Sequence, residues 1–168
     1  MRIKNAVYRA LLMIILIGTA GVSEESLAED LVRSGKVSCG VAPFLRAEGT
    51  EYHDNTIALR NVNDAVIIKI DRVQAWDNNG ALQWDSSTDG FPANPSFVDT
   101  IGPHQGTRFF ASDVLGLLPA ASHLGQVAIE YSLDRRGHRL GAASTHFARD
   151  ESMSGAERSR QVIECRHL

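Results

Sequence analysis

The chain has 168 residues, of which 43% are hydrophobic, and it carries 17 Lys and Arg against 20 Asp and Glu. Its net charge of −3 argues against a nucleic-acid or anionic-membrane binder, because such proteins need a basic patch to displace counterions. One domain with a sizeable core fits this length, and no internal repeat or low-complexity segment divides it.

The first 20 residues predict a secretory signal peptide. Arg2, Lys4 and Arg9 precede an apolar run that ends in the small residues Gly18 and Ala20. The run is shorter than the roughly 20 residues that a helix needs to cross a bilayer, so we expect cleavage after Ala20 rather than a permanent anchor. Cleavage removes three basic residues and no acidic one, which leaves 14 Lys and Arg against 20 Asp and Glu. The sequence therefore predicts an exported protein, periplasmic or extracellular, with no stable membrane insertion.

Two cysteines predict one disulfide. Cys39 and Cys165 are the two cysteines of the chain and lie near opposite ends of the part that follows the signal peptide. In an oxidising compartment, two thiols usually pair. Unpaired thiols are the alternative, whereas acylation of Cys39 is excluded because the apolar region ends far before it.

Residues 21–35 are acidic and serine-bearing and predict a mobile arm, which leaves a single domain over residues 36–168. In that domain apolar and polar residues alternate with the period of two that is typical of half-buried strands. The predicted strands are 56–62, 65–76, 81–85, 96–101, 107–111, 126–133, 140–147 and 161–165. The alternation slips at Asp71, which predicts a β-bulge there. The polar residues 149–160 predict a loop.

Turn residues separate these strands. The segment D-N-N-G, from Asp77 to Gly80, predicts a hairpin turn because Asn and Gly tolerate positive φ. Ser112 can cap one helical turn near residues 113–118, which Pro119 would end. Short strands with almost no helical periodicity predict an all-β fold, an immunoglobulin-like antiparallel β-sandwich of about seven to nine strands. A closed barrel is the alternative.

Five segments carry a resemblance to a known group: L-R-N at 59–61, I-I-K-I-D-R-V at 67–73, D-N-N-G at 77–80, G-P-H-Q-G-T-R-F-F at 102–110 and V-A-I-E-Y at 127–131. Together they resemble a group of exported bacterial β-sandwich domains of unknown function, over residues 57–131. The resemblance implies the β-sandwich fold and adds no activity.

The sequence contains no recognisable catalytic or cofactor motif. The six histidines are scattered, and the nearest pair, His138 and His146, lacks the spacing of a zinc motif, although an even spacing could place both on one face. Ser144 follows G-A-A but lacks the second glycine of a nucleophile elbow. We therefore expect no metal, no cofactor and no catalytic residue.

Trp76 and Trp84 flank the predicted hairpin, with Phe91 just beyond. In a three-residue turn Trp76 faces Leu82 and Gln74 faces Trp84, so both rings could share one sheet face. If exposed, the three aromatic residues would form a stacking platform for a sugar or an anchor for a protein; the alternative is that at least one Trp is core. We expect Trp76 to be the core residue and Trp84 the surface residue.

The sequence thus predicts an exported, non-catalytic binding or accessory module of the bacterial envelope or exterior, with an unknown protein or carbohydrate as ligand. A small secreted or periplasmic hydrolase, with a site assembled across loops, is the alternative. A cluster of His, Asp or Glu in a deep pocket would favour the enzyme, and a shallow surface with an exposed Trp would favour the module.

Overall fold

The computed structural model describes residues 33–46, 49–118, 124–135 and 138–168. Two four-residue helices occur in this part, α1 (Ser86–Asp89) and α2 (Ser112–Leu115). The predicted signal peptide and residues 21–32 of the predicted arm lie outside the described residues. The strands of the described part are β1 Arg33–Val41, β2 Phe44–Leu45, β3 Glu51–Arg60, β4 Ile68–Asp77, β5 Leu82–Asp85, β6 Thr100–Ile101, β7 Gly106–Phe110, β8 Gly125–Leu133, β9 Gly141–Asp150, β10 Glu157–Glu164 and β11 Arg166–His167.

The strands form two antiparallel sheets. In sheet A the order is β11-β1-β8-β4-β5, and β6 also pairs with β4. In sheet B the order is β10-β9-β3-β2, and β7 also pairs with β3. Each sheet ends in edge strands, so the predicted β-sandwich is confirmed and the closed alternative is not adopted.

The core lies between the two sheets and is built from one side of each alternating strand. Val37 and Ile129 of sheet A are fully buried in the same cluster as Ile57 and Leu59 of sheet B. Removing such side chains from water is worth about 1.5–3 kcal/mol each. The opposite faces of the two sheets are therefore the outer surfaces of the sandwich.

Two local features of β4 and its hairpin are confirmed. The pairing of β4 with β8 shifts register at Asp71, the extra residue of a bulge. In the turn, Gly80 has a φ of 78°, a value that favours glycine. The Asp77 carboxylate accepts hydrogen bonds from the backbone N–H groups of Asn79 and Ala81 at 2.9 and 3.0 Å, which closes the turn.

Helix α2 differs from the predicted helical turn. It ends at Leu115, is followed by Gly116 with a φ of 62°, and so does not extend to residue 118. Ser112 does not cap it, because Ser112 is its first helical residue and its hydroxyl donates to the Asp54 carboxylate. The side chain of Asp113 instead accepts a hydrogen bond from the backbone N–H of Phe110 at 2.7 Å.

Several strand boundaries also differ from the predictions. The predicted loop 149–160 contains the end of β9 and the start of β10, which begins at Glu157. Of the strand predicted at 96–101, only Thr100–Ile101 pairs. Strand β1 begins at Arg33, inside the segment predicted to be an arm.

Cys39 and Cys165 form the predicted disulfide, with an S–S distance of 2.08 Å. Cys39 belongs to β1 of sheet A, and Cys165 lies between β10 of sheet B and β11 of sheet A. The bond therefore holds the C-terminal segment at the point where it crosses from one sheet to the other.

Candidate functional site

The two tryptophans of the predicted platform lie on opposite faces of sheet A. Ala75 pairs with Trp84, and Trp76 pairs with Leu82, because the register of the hairpin shifts between Ala75 and Trp76. Ala75 is fully buried, so Trp84, which shares its face, packs against the core. The prediction of a shared face is therefore wrong, and so is the expected orientation: Trp84 contacts the core and Trp76 lies on the outer face.

Trp76 borders a surface cavity of about 560 Å³ on the outer face of sheet A. Asp77, Asn78 and Gln126 line this cavity beside the indole ring. An aromatic ring next to amide and carboxylate groups is chemically suited to a sugar, but among the described residues that line this cavity Trp76 is the single aromatic one.

Phe91 lies away from the Trp76 cavity. Its ring centroid is 5.5 Å from that of Phe97, and Phe97 in turn contacts the core residue Phe109 at 5.7 Å. Phe91 is thus the exposed end of an aromatic series anchored in the core. The structure does not bring the three predicted ligand residues together.

The register between β3 and β9 brings together two histidines that sequence reasoning did not pair. His53 Nδ1 lies 3.3 Å from His146 Nε2, and His53 Nε2 lies 3.3 Å from Glu51 Oε2. His53 also lowers the pKa of the Glu51 carboxyl. His138, the partner suggested by spacing, instead contacts Asn63 Oδ1 at 2.7 Å. Among the described residues, no group of three His, Cys, Asp or Glu side chains is placed to hold a metal ion.

Asp54 is a fully buried carboxylate at the edge of β3. It accepts hydrogen bonds from the Tyr52 hydroxyl at 2.7 Å, the Asn55 N–H at 2.7 Å, the Ser112 N–H at 3.1 Å and the Ser112 hydroxyl. One side of β3 pairs with β9, and the other side pairs with β2 at residues 52 and 53 and with β7 at residues 56 to 60. Asp54 lies at the gap between β2 and β7 on that second side. Burial raises the pKa of Asp54, against the effect of its hydrogen bonds. These contacts give Asp54 a structural role.

The outer face of sheet B carries an open trough made of two adjoining cavities of about 620 and 310 Å³. Thr56 and Arg108 line both cavities, so the two cavities meet there. None of the described residues that line them is acidic. We call this surface the arginine trough and define it by Thr56, Arg60, Arg108, Thr145, Arg149 and Arg160.

The register of sheet B explains how the trough forms. Thr56 of β3 pairs with Thr145 of β9, and Ala58 of β3 pairs with Arg108 of β7. Because cross-strand partners share a face, these side chains lie together on the face opposite the core residue Ile57. Ala58, Thr56 and Thr145 form the floor of the trough, and the arginine side chains line it.

Two of the arginines are held by neighbouring groups. Arg160 donates to Glu157 at 3.0 and 2.7 Å, which raises the pKa of Arg160 and lowers that of Glu157. Arg149 donates to the carbonyl of Met153 and lies over the ring of Phe147, 5.2 Å from its centroid. The buried Nε of Arg149 has no hydrogen-bond partner among the described residues.

The other two arginines are exposed, and the described part of the chain offers their side chains no partner. Neither Arg60 nor Arg108 makes a side-chain hydrogen bond or ion pair with any described residue. Sequence reasoning missed this site, because its residues are far apart in the chain and meet only through the pairing of four strands.

Comparison of the chain with protein-family models, with curated proteins and with solved structures finds no match. The resemblance to exported bacterial β-sandwich domains therefore stays a prediction. No helix in the described ranges is both long enough and apolar enough to cross a membrane.

Proposed function

We propose that the chain is an exported, non-catalytic binding module of the bacterial envelope or exterior. The arginine trough carries this proposal, because it is an open surface where Arg60 and Arg108 have no partner, and the lining no carboxylate, among the residues that the structure describes. Such a surface can hold a ligand through its donors. It offers no evident acid–base pair or nucleophile for a reaction.

The buried polar groups do not favour the hydrolase alternative. Asp54 is fully buried and surrounded by donors. The hydroxyl of Ser144 is also buried, donates to the Gly40 carbonyl at 3.0 Å and accepts from Asn55 at 2.8 Å. A serine nucleophile needs a hydrogen-bonded base and access to substrate. Ser144 and Asp54 therefore support the fold rather than a reaction.

The export part of the proposal rests on residues 1–20 and is supported by the disulfide, since such bonds persist in oxidising compartments. Mass spectrometry of the protein recovered outside the cytoplasm should give a chain that begins at Gly21. Recovery of intact Met1 in a membrane fraction would contradict cleavage after Ala20.

Co-sedimentation tests the binding function. The purified exported protein is mixed with isolated envelopes of the producing bacterium and, separately, with the polymers of its culture medium. We expect saturable binding to one of these fractions and no release of soluble fragments over time. Ala58→Trp, which fills the floor of the trough, should weaken binding.

Lys69→Trp is the matched control. Lys69 is exposed on β4, between the buried Ile68 and Ile70, and so lies on the outer face of the other sheet. It should bind like the unmodified protein. Time-dependent release of fragments would contradict a non-catalytic role, and absence of binding to both fractions would contradict the module itself.

A further inference from the structure

We infer that the arginine trough binds an anionic polysaccharide, a linear chain whose sugar units carry carboxylate or sulfate groups. This inference rests on the proposed binding function and names its ligand class. It depends on the charge of the trough, on its hydroxyl-bearing floor and on its length.

The charge of the trough is opposite to that of the chain. The whole chain has a net charge of −3, yet the described residues that line this surface include four arginines and no acidic residue. Glu157, outside the lining, lies 2.7 Å from Arg160 and 3.8 Å from Arg149 and balances one of these four charges. Guanidinium groups bind carboxylates and sulfur or phosphorus oxyanions through two parallel hydrogen bonds, which makes them selective for such groups. Arg60 and Arg108 are free of protein partners among the described residues and can bind in this way.

The floor of the trough suits sugar hydroxyls. Thr56, Thr145, Ser96 and Gln105 line its two cavities and supply both donors and acceptors. The ring of Phe147 is 4% exposed and lies beneath a guanidinium group, so it is not available as an apolar anchor. The other large apolar side chains that the lining exposes are divided between the cavities, Val62 in one and Phe110 and Met153 in the other, so the shared centre at Thr56 and Arg108 is polar. A protein partner usually needs such a buried aromatic or aliphatic anchor at the centre of its interface. The composition therefore favours a carbohydrate over a protein.

The length of the trough favours a linear polymer. Arg60 pairs with Gly141 at one end of β9, and Arg149 lies near the other end of the same strand. Arg149 is eight positions after Gly141 in the strand, which corresponds to roughly 27 Å. Arg108, paired with Ala58, lies between these ends. Charges distributed over this distance match a repeating anion better than one small anion.

The proposal is tested by calorimetric titration of the purified exported protein with five polymers. Polygalacturonate supplies carboxylates, dextran sulfate supplies sulfates, and neutral dextran supplies neither. Polyglutamate and single-stranded DNA present anionic charge without anionic sugar units of this kind. We expect saturable, salt-sensitive binding to one or both charged polysaccharides, and the two arms identify the anion that is preferred.

Substitutions locate the site. Arg108→Gln should weaken binding about tenfold, because it removes one charge-assisted contact at the centre of the trough. Lys69→Gln removes the same charge from the outer face of sheet A and should change affinity less than about twofold. Thr145→Val keeps all charges and should weaken binding by removing one hydroxyl from the floor. Circular dichroism shows whether each variant is folded. If Arg108→Gln does not fold, the affinity of Thr145→Val tests whether the trough is the binding site.

Several outcomes overturn the proposal. The first is that neutral dextran binds as tightly as the charged polysaccharides. The second is that polyglutamate or DNA binds at least as tightly as both charged polysaccharides. The third is that Arg108→Gln and Lys69→Gln lose the same affinity. Binding to envelopes or medium polymers without binding to either charged polysaccharide overturns the ligand class and leaves the binding module intact. Absence of binding to the envelopes, to the medium polymers and to all five test polymers overturns both the ligand class and the binding module.

Discussion

Asp85 shows how one carboxylate joins several elements. It accepts hydrogen bonds from Arg72 Nε at 2.9 Å and Gln74 Nε2 at 3.1 Å, both on β4, and from the backbone N–H of Ser87 in α1 at 3.0 Å. Arg72 is the main cause that holds the pKa of Asp85 below its usual range. The group is therefore stabilised in its charged form by the folded chain.

Asp85→Asn should destabilise the protein more at neutral pH than in acid. A carboxyl whose pKa is lowered by folding contributes stability above its unfolded pKa of about 4, and the contribution is lost as the pH falls from there toward the folded pKa. Melting curves of both proteins, recorded by circular dichroism between about pH 7 and pH 3, should show a difference in Tm that narrows as the pH falls. A difference that stays constant would show that charge is not the cause.

Asn61 is a buried amide that ties three chain segments together. It is 1% exposed, and its Nδ2 donates to the Val66 carbonyl at 2.6 Å and the Ile101 carbonyl at 3.0 Å. Asn61→Ala should lower the free energy of unfolding by about 2–3 kcal/mol, because both carbonyls lose their amide donor in a buried place. Urea denaturation measures the loss. Asn78→Ala, at an exposed turn position, is the control and should stay within about 0.5 kcal/mol.

A strand can be predicted from the sequence when one of its two faces is buried, because only then do apolar and polar residues alternate. In β8, Val127, Ile129 and Tyr131 are buried and give a regular alternation, so the strand is predicted almost to its ends. In β10 all eight residues are exposed, so neither face selects apolar side chains, and the sequence predicts only the second half of this strand, from residue 161. In β1, Val37 and Cys39 alternate among small or polar residues, which makes the pattern weak.

Strand register is what the sequence could not supply. One shift between Ala75 and Trp76 places the two tryptophans on opposite faces, because successive side chains of a strand alternate between faces. The trough depends on register in the same way, since Arg108 and Arg149 line one cavity only through the pairing of β7 and β9 with β3. Their positions in the sequence do not reveal this.

The hairpin register leads to a stability prediction for the two tryptophans. Trp84→Ala should cost about 3 kcal/mol, because it removes a large side chain that packs against the core and leaves a cavity. Trp76→Ala should cost less than about 1 kcal/mol, since the ring borders a surface cavity. Chemical denaturation of the two variants gives both values. A larger loss for Trp76→Ala would contradict the register described here.

For the molecule as a whole, the disulfide links the first and last parts of the described domain. β11 has two residues and pairs with β1, and β10 pairs with β9 but buries none of its residues, so this segment adds few apolar contacts to the fold. Cys165 packs against the core beside Cys39. The bond thus secures one edge of sheet A where few buried side chains do so.

Reduction of the Cys39–Cys165 bond should lower the free energy of unfolding by up to about 5 kcal/mol, because a cross-link spanning more than one hundred residues restricts the unfolded chain strongly. The bridged cysteines are 126 residues apart. Urea denaturation with and without reductant measures the loss, and the double substitution Cys39→Ser, Cys165→Ser should show a comparable loss and no further effect of reductant. The folded far-ultraviolet spectrum should change little, since most strands pair without the bond. Two reactive thiols in the unfolded, unreduced protein would contradict the bridge, and an unchanged denaturation midpoint after reduction would contradict its role in stability.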